Sequence, residues 1–125
     1  MKIYVTHSSN YDYQNELYLP LRKSKLNKLY EITLPHEHAL DQFNSKEYLK
    51  DCSLVLAEVS YPSTGQGIEL GWANLYDVPI VCLSKKGVKP SGSLKVISNT
   101  FIEYENSEDM VQKLTDYLSI FQNKR

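Results

Sequence analysis

Residues 53–73 constrain the fold more than any other stretch of the chain, because they combine a strand, a turn and a helix. The strand is the apolar run Ser53-Leu-Val-Leu-Ala-Glu-Val-Ser60. Its side chains do not alternate cleanly between apolar and polar, which is typical of a strand covered on both faces of a parallel sheet. A turn is predicted over Tyr61-Pro-Ser-Thr-Gly-Gln-Gly67, followed by a helix that begins near Gly67 and contains Ile68-Glu-Leu-Gly-Trp-Ala73.

This turn has the composition of a ligand site. Gly65 and Gly67 permit unusual backbone dihedrals and a close approach of the backbone to a ligand. The helix that follows points free N–H groups and a positive dipole end at whatever lies above the turn. Glu69 is predicted in the first helical turn, as a carboxylate that acts as nucleophile or anchor. The alternative interpretation is that Glu69 only stabilises the end of the helix.

Length and composition restrict the class of protein. A chain of 125 residues predicts one domain with one core, over residues 1–125. The net charge is −1 and the basic residues are scattered, so no nucleic-acid polymer is expected as a partner. We expect a cytoplasmic protein without a membrane partner, because no apolar run reaches spanning length and no signal-peptide centre is visible. Cys52 and Cys82 are predicted as small buried side chains in a reducing compartment.

The rest of the chain alternates strands with helical patterns. The predicted strands are residues 2–6, 30–34, 53–60, 79–83 and 100–104. Between them we predict a helix that Asp12 caps and that Pro20 kinks or restarts, a short helix through Leu49, and one or two helical turns in residues 93–98. A last helix follows Ser107. This order predicts an α/β, flavodoxin-like three-layer sandwich with a five-stranded parallel sheet in the order 2-1-3-4-5.

The predicted topology also locates the site. Ligands of such sheets bind beyond the carboxyl ends of the strands, where the winding direction reverses, which here is between strands one and three. The loops that leave these strands, residues 7–10 and 61–67, are the most polar and site-like in the chain. The residues predicted to line this cleft are His7, Ser8, Ser63, Gly67 and Glu69.

Common nucleotide and metal motifs do not match. Leu70 stands where the dinucleotide fingerprint requires a third glycine, and no Walker-type lysine follows the glycines. His36 and His38 flank Glu37 in a predicted loop without a further ligand nearby, which favours an ordinary surface loop. We therefore expect neither a metal nor a cofactor.

Residues 57–73, Ala57-Glu-Val-Ser-Tyr-Pro-Ser-Thr-Gly-Gln-Gly-Ile-Glu-Leu-Gly-Trp-Ala73, resemble the signature of the nucleoside 2-deoxyribosyltransferase family. The resemblance is strongest to its branch of 2′-deoxynucleoside 5′-phosphate N-hydrolases. The order and approximate lengths of the elements also agree over most of the chain. The resemblance implies a flavodoxin-like fold. It also implies cleavage or transfer of the N-glycosidic bond of a (deoxy)nucleoside or its 5′-monophosphate.

The resemblance implies roles for individual residues. Glu69 matches the nucleophile that attacks the anomeric carbon and holds a glycosyl-enzyme ester. Tyr4 matches the tyrosine that orients this glutamate. Ser8 and Ser63 match positions that contact the 5′ end of the substrate. Ser93 matches a serine lent by a neighbouring subunit, which implies a homodimer or a larger even homo-oligomer.

Two positions depart from the family pattern. His7 stands where the hydrolases have glycine, and it could add charge at a phosphate, donate a proton, or only cap the first helix. Ser45 stands near the family's aspartate on the base side of the site, which protonates the departing base. Asp41, one helical turn earlier, or Asp51, six residues later, could take its place.

Three further residues have open roles. Glu58, at the end of the central strand, either aligns the site or binds the loop backbone, and the second role is favoured. Trp72 and Tyr76 are interpreted as core or subunit contacts rather than base-stacking groups.

Two other functions remain open. One is a non-catalytic nucleotide-binding module that kept the pocket and lost the acid. The other is a TIR-like NAD-cleaving domain, against which the Pro-Ser-x-Gly-x-Gly-x-Glu-Leu-Gly spacing argues.

Overall fold

The computed structural model describes residues 1–37 and 45–123. Its sheet contains β1 (Lys2–His7), β2 (Glu31–Thr33), β3 (Leu54–Glu58), β4 (Ile80–Lys85) and β5 (Thr100–Tyr104). Every pair of neighbouring strands is parallel, and the order across the sheet is β2-β1-β3-β4-β5. The predicted fold class and strand order are therefore confirmed.

Helices connect the strands and cover both faces of the sheet. They are a π-helical turn (Gln14–Tyr18), α1 (Leu19–Lys23), α2 (Leu26–Leu29), α3 (Ser45–Lys50), α4 (Thr64–Leu75), a 3₁₀ turn (Gly92–Val96) and α5 (Ser107–Asn123). Pro20 is the second residue of α1 and directly follows the π-helical turn, whose backbone is already helical. At this position, where a kink or a restart was predicted, the helix changes type without a break. Within residues 1–37 and 45–123, no helix has the length and apolarity that crossing a membrane requires.

Alternation of side chains along the strands produces two cores, one on each face of the sheet. On one face, residues of β1 and β3 pack against α1, α2 and α5. The strand residues are Ile3, Val5, Leu54 and Leu56, and the helix residues are Leu21, Leu26, Leu114 and Leu118. On the other face, Tyr4, Val55 and Ala57 pack against Leu49 of α3 and Leu70 of α4. The second core fixes α4 along β1 and β3, so that α4 begins at the carboxyl edge of the sheet.

The start of α4 differs from the prediction. The helix begins at Thr64 with Ser63 as its extended N-cap residue, rather than near Gly67. Gly65 and Gly67 therefore lie in helical backbone, and neither has a positive φ. The prediction that these glycines adopt unusual dihedrals is wrong. Glu69 consequently lies in the second turn of α4 instead of the first, where the helix dipole has little influence.

Candidate active site

A cleft of about 480 Å³ opens at the carboxyl edge of the sheet, next to the ends of β1 and β3. Its lining comes from the loops after β1 and β2, the start of α3, and α4 with its N-cap. The lining residues are His7, Ser9, His36, Ser45, Ser63, Gly65, Gln66, Ile68, Glu69 and Trp72. The cleft lies where the strand order reverses, so topology and loop chemistry identify the same place.

Some of the predicted residues face the cleft, whereas Ser8 does not. His7, Ser63 and Glu69 belong to the lining. Ser8 is only 1% exposed, and its hydroxyl accepts a hydrogen bond of 3.1 Å from the backbone N–H of Asn10. Its side chain therefore supports the loop after β1 from inside. The adjacent residue Ser9 lines the cleft instead.

Four other predicted residues have different positions. Gly65 lines the cleft, and a Cβ added there would meet no atom within 4 Å, so open space lies above its backbone. Gly67 is exposed in the first turn of α4, beside the lining. Ser93 is exposed in the 3₁₀ turn between β4 and β5. Asp41 lies outside the described residues.

Two hydroxyl groups of β1 hold the Glu69 carboxylate. The Tyr4 hydroxyl donates a short hydrogen bond to Oε2, and the Thr6 hydroxyl donates one of 2.7 Å to Oε1. Tyr4 and Thr6 are two residues apart on one strand, so their side chains lie on the same face of the sheet. The arrangement leaves Glu69 facing the cleft with each oxygen bound to a different donor.

Tyr4 is placed to act as a donor over the whole accessible pH range. Its side chain is completely buried. Burial, the negative charge of Glu69 and the hydrogen bond to that carboxylate all raise the pKa of Tyr4 far above its usual value, and a hydrogen bond with Ser45 opposes them only in part. The phenol therefore keeps its proton and points it at Glu69, consistent with the orienting role that the family resemblance implies.

Gln66 attaches the first turn of α4 to the sheet. Its buried amide donates hydrogen bonds to the backbone carbonyl oxygens of Glu58 (2.7 Å) and Thr6 (3.3 Å). These carbonyls lie at the ends of β3 and β1, which pair with each other. Gln66 therefore fixes the distance between the edge of the sheet and α4. Glu69 lies three residues after Gln66, on the same face of this helix.

His7 is a neutral structural residue in this arrangement. Its Nδ1 donates to the backbone oxygen of Ser8 (2.8 Å), which can only accept, so Nε2 accepts from the Tyr18 hydroxyl (2.6 Å). Burial lowers the pKa of His7 to about 4, although the bond to Ser8 opposes this effect. With both nitrogens occupied and no charge at neutral pH, His7 provides neither a cation nor a free proton. The same Tyr18 hydroxyl accepts from the backbone N–H of His36 (3.0 Å) and joins the two loops.

Glu58 serves the opposite face of the sheet from Glu69. It is 1% exposed, and its carboxylate accepts from the backbone N–H of Ser60 (2.7 Å), the Ser60 hydroxyl (2.9 Å) and the Tyr104 hydroxyl. This contact with the loop backbone is the role that the sequence favoured. The backbone oxygen of the same residue binds Gln66, so Glu58 also supports the start of α4.

Sequence reasoning assigned no site role to Thr6 or Gln66 and placed Trp72 in the core or at a subunit contact. Thr6 could have been found from strand alternation, since it follows Tyr4 by two residues in β1. Trp72 lines the cleft and also packs against the second core. In the described part of the chain, no group of three or more His, Cys, Asp or Glu side chains could hold a metal ion.

The sequence of the chain is similar to that of one named protein. No family model matches the chain. Over 75 residues, or 58% of the chain, it is 32% identical to a protein of Syntrophotalea carbinolica named "Putative 2'-deoxynucleoside 5'-phosphate N-hydrolase 1". The aligned segment spans 53% of that relative, about half of its length. The similarity confirms the resemblance that the sequence predicted.

Solved structures share the fold at low identity. The CMP N-glycosidase BcmB of Clostridium botulinum matches with a TM-score of 0.65 and 22% identity, over 92% of this chain and 99% of that one. A conserved protein from Enterococcus faecalis gives 0.63 and 17%, over 94% and 98%. A flavodoxin-like domain from Synechococcus gives 0.51 and 14%, over 91% and 99%. These similarities establish the flavodoxin-like architecture.

Proposed function

We propose that the chain is an enzyme that cleaves or transfers the N-glycosidic bond of a nucleoside or nucleoside 5′-monophosphate, with Glu69 as nucleophile. The observation that carries this proposal is the placement of the Glu69 carboxylate, which lines the cleft and is bound by two hydroxyls of β1. The name of the 32%-identical relative supports the same class of reaction.

In the proposed reaction, a carboxylate oxygen of Glu69 attacks the anomeric carbon while the bond from that carbon to the base nitrogen breaks. The electron pair of the broken bond leaves with the base, which takes up a proton. Water then attacks the same carbon of the glycosyl ester and gives a proton to the group that protonated the base, which releases the sugar and regenerates the carboxylate. In a transferase, a second base replaces this water. Tyr4 and Thr6 orient the attacking group.

The end of the cleft near Ser63 suits a 5′-phosphate. The N–H of Gly67 donates to the Ser63 carbonyl (3.1 Å), so the N–H groups of residues 64–66 precede the first α-helical hydrogen bond. Such a helix start attracts anions. Among the described residues that line the cleft there is no Lys or Arg. We therefore assign a phosphate to these N–H groups and to the hydroxyls of Ser63 and Ser9.

Protonation of the base requires a donor other than His7, which is neutral and has both ring nitrogens engaged. Ser45, which stands near the family's aspartate, lines the cleft but has no acidic proton to give. Asp51 follows the far end of α3 and is not among the lining residues, so two candidates remain. They are Asp41, from the family resemblance, and His36, whose exposed imidazole lines the cleft. His36 belongs to the loop after β2, and Asp41 lies outside the described residues.

An even homo-oligomer with α4 at the interface is part of the proposal. Ile68, Trp72 and Leu75 recur at helical spacing on α4, and Ile68 and Leu75 are 50% and 70% exposed. Because Ile68 and Trp72 also line the cleft, a second copy packed on this stripe would contribute to the wall of the site.

A non-catalytic nucleotide-binding module is the second candidate. The observation that favours it is Ser45, which replaces the family's acid and forms a hydrogen bond with Tyr4. In such a module the cleft would bind a nucleotide and release no base.

The experiment is an assay for free base with a panel of nucleosides and 5′-monophosphates. We expect turnover by the wild type and a loss of roughly a thousandfold or more in Glu69→Gln, since several kcal/mol of barrier are lost at about 1.4 kcal/mol per tenfold. Glu103→Gln, which makes the same change at an exposed position in β5, is the control and should keep full activity.

Intact-protein mass spectrometry after an acid quench tests the covalent step directly. The wild type should gain the mass of the sugar or sugar phosphate, and the adduct should map to the peptide containing Glu69. A Glu69→Gln variant that releases base at most of the wild-type rate would refute the role of Glu69 as nucleophile. A wild type that binds nucleotides but releases no base from any of them would favour the binding module.

A further inference from the structure

Thr6 connects β1 to α4 through both its side chain and its backbone. Its hydroxyl donates to Glu69 Oε1 (2.7 Å), and its carbonyl accepts from the Gln66 amide (3.3 Å). The residue is completely buried, so water does not compete for the hydroxyl. We propose that Thr6 is a positioning residue that sets the plane of the Glu69 carboxylate for attack; this inference rests on the proposed function.

A carboxylate held by one hydrogen bond retains a broad rotation about its last side-chain torsion. Tyr4 binds Oε2 and Thr6 binds Oε1, so the two donors together remove this rotation. Both donors come from one strand that pairs with neighbours on each side, and a β-branched threonine has little freedom at χ1. The interior strand β1 therefore fixes the plane of the Glu69 carboxylate.

Packing alone does not account for a threonine at this position. A buried hydroxyl is costly unless it is hydrogen-bonded, and a valine of the same shape would fill the space in a strand equally well. The hydroxyl of Thr6 uses its hydrogen on Glu69. Nucleophilic attack depends strongly on orientation, so a fixed lone-pair direction lowers the barrier without a change in ground-state binding.

The test compares Thr6→Val, which replaces the hydroxyl by a methyl group, with Thr6→Ser, which keeps the hydroxyl. Thr100→Val in β5 is the matched control for the same change in a strand remote from the cleft. A hydrogen bond to a charged group predicts a fall in kcat on the order of 10- to 100-fold for Thr6→Val. Thr6→Ser should recover most of the activity, and Thr100→Val should equal the wild type.

Binding is measured separately through Trp72, the one tryptophan of the chain, which lines the cleft. Quenching of its fluorescence by a 5′-monophosphate should give the same Kd for the wild type and Thr6→Val, and a cooperative thermal transition in each should show that both are folded. A loss confined to kcat and restored by serine supports positioning. A loss that appears equally in Kd, or that serine does not restore, contradicts it.

The inference and the proposed function fail differently. If the wild type releases base and Thr6→Val releases it at the same rate, positioning by Thr6 is refuted while the function stands. If the wild type releases no base from any substrate, the proposed function is refuted and the inference with it.

Discussion

Acid should destabilise this protein through His7, a histidine that the fold keeps neutral. The side chain is 6% exposed, and both ring nitrogens are hydrogen-bonded, to the Ser8 carbonyl and the Tyr18 hydroxyl. Burial lowers the pKa of His7 from 6.5 to about 4, and the neighbouring ring of His36 acts in the same direction. The unfolded chain has no such environment.

The sign and size of the effect follow from proton linkage. The unfolded state takes up a proton at His7 below pH 6.5, whereas the folded state does so only near pH 4. The stabilisation is therefore fully present above pH 6.5 and is lost as the pH falls towards 4. At about 1.4 kcal/mol per pH unit, the loss in free energy of unfolding is at most about 3 kcal/mol.

Urea denaturation between pH 7 and pH 4 measures this loss. The difference in free energy of unfolding between the wild type and His7→Asn should shrink on acidification by up to about 3 kcal/mol, because the variant has no titrating group at this position. The comparison variant His36→Gln, which removes only the smaller contribution of His36 to this shift, should retain most of the pH dependence of the wild type. Parallel curves for the wild type and His7→Asn would refute the argument that burial of this imidazole controls the acid response.

Three further predictions concern the cleft and the assembly. Gly65→Ala and Gly71→Ala should each stabilise α4 by roughly 0.5 kcal/mol in thermal unfolding. Only Gly65→Ala should slow base release, because of these two glycines only Gly65 lines the cleft. Equal rates of base release for both variants would contradict a ligand above Gly65. The variants Asp41→Asn and His36→Gln test the proton donor. The variant that lacks the donor should release base about 10²–10⁴ times more slowly from natural substrates, and at nearly the wild-type rate from a substrate whose leaving group needs no proton. Full activity in both variants would exclude both candidates. Sedimentation at micromolar concentration should show an even oligomer that Leu75→Glu dissociates, and a monomeric wild type would refute the interface on α4.

Much of the fold was predictable because it depends on local patterns. The apolar run of residues 53–60 and the alternation of strands with helices predicted the parallel sheet and its order, and the structure confirms both. The position of the cleft followed from the same order, since a reversal of winding separates the loops after β1 and β3. The residue pattern from Pro62 to Gly71 identified Glu69 and the family resemblance.

The detailed site depended on contacts between residues distant in sequence. Thr6 and Glu69 are 63 positions apart, and Gln66 and Thr6 are 60 apart, so no local periodicity records that they meet. The choice of Ser9 over Ser8 as a lining residue depends on how one loop turns after β1. The same holds for the start of α4 at Thr64, directly after the extended residue Ser63.

Sequence by itself therefore determined the architecture, the edge of the sheet that carries the cleft and the glutamate within it. Tertiary structure decided which donors hold that glutamate, which serines line the cleft, and that His7 is neutral. The physical reason is that strand and helix periodicities are encoded in neighbouring residues. Hydrogen-bond partners and burial, by contrast, are set only when distant segments pack together.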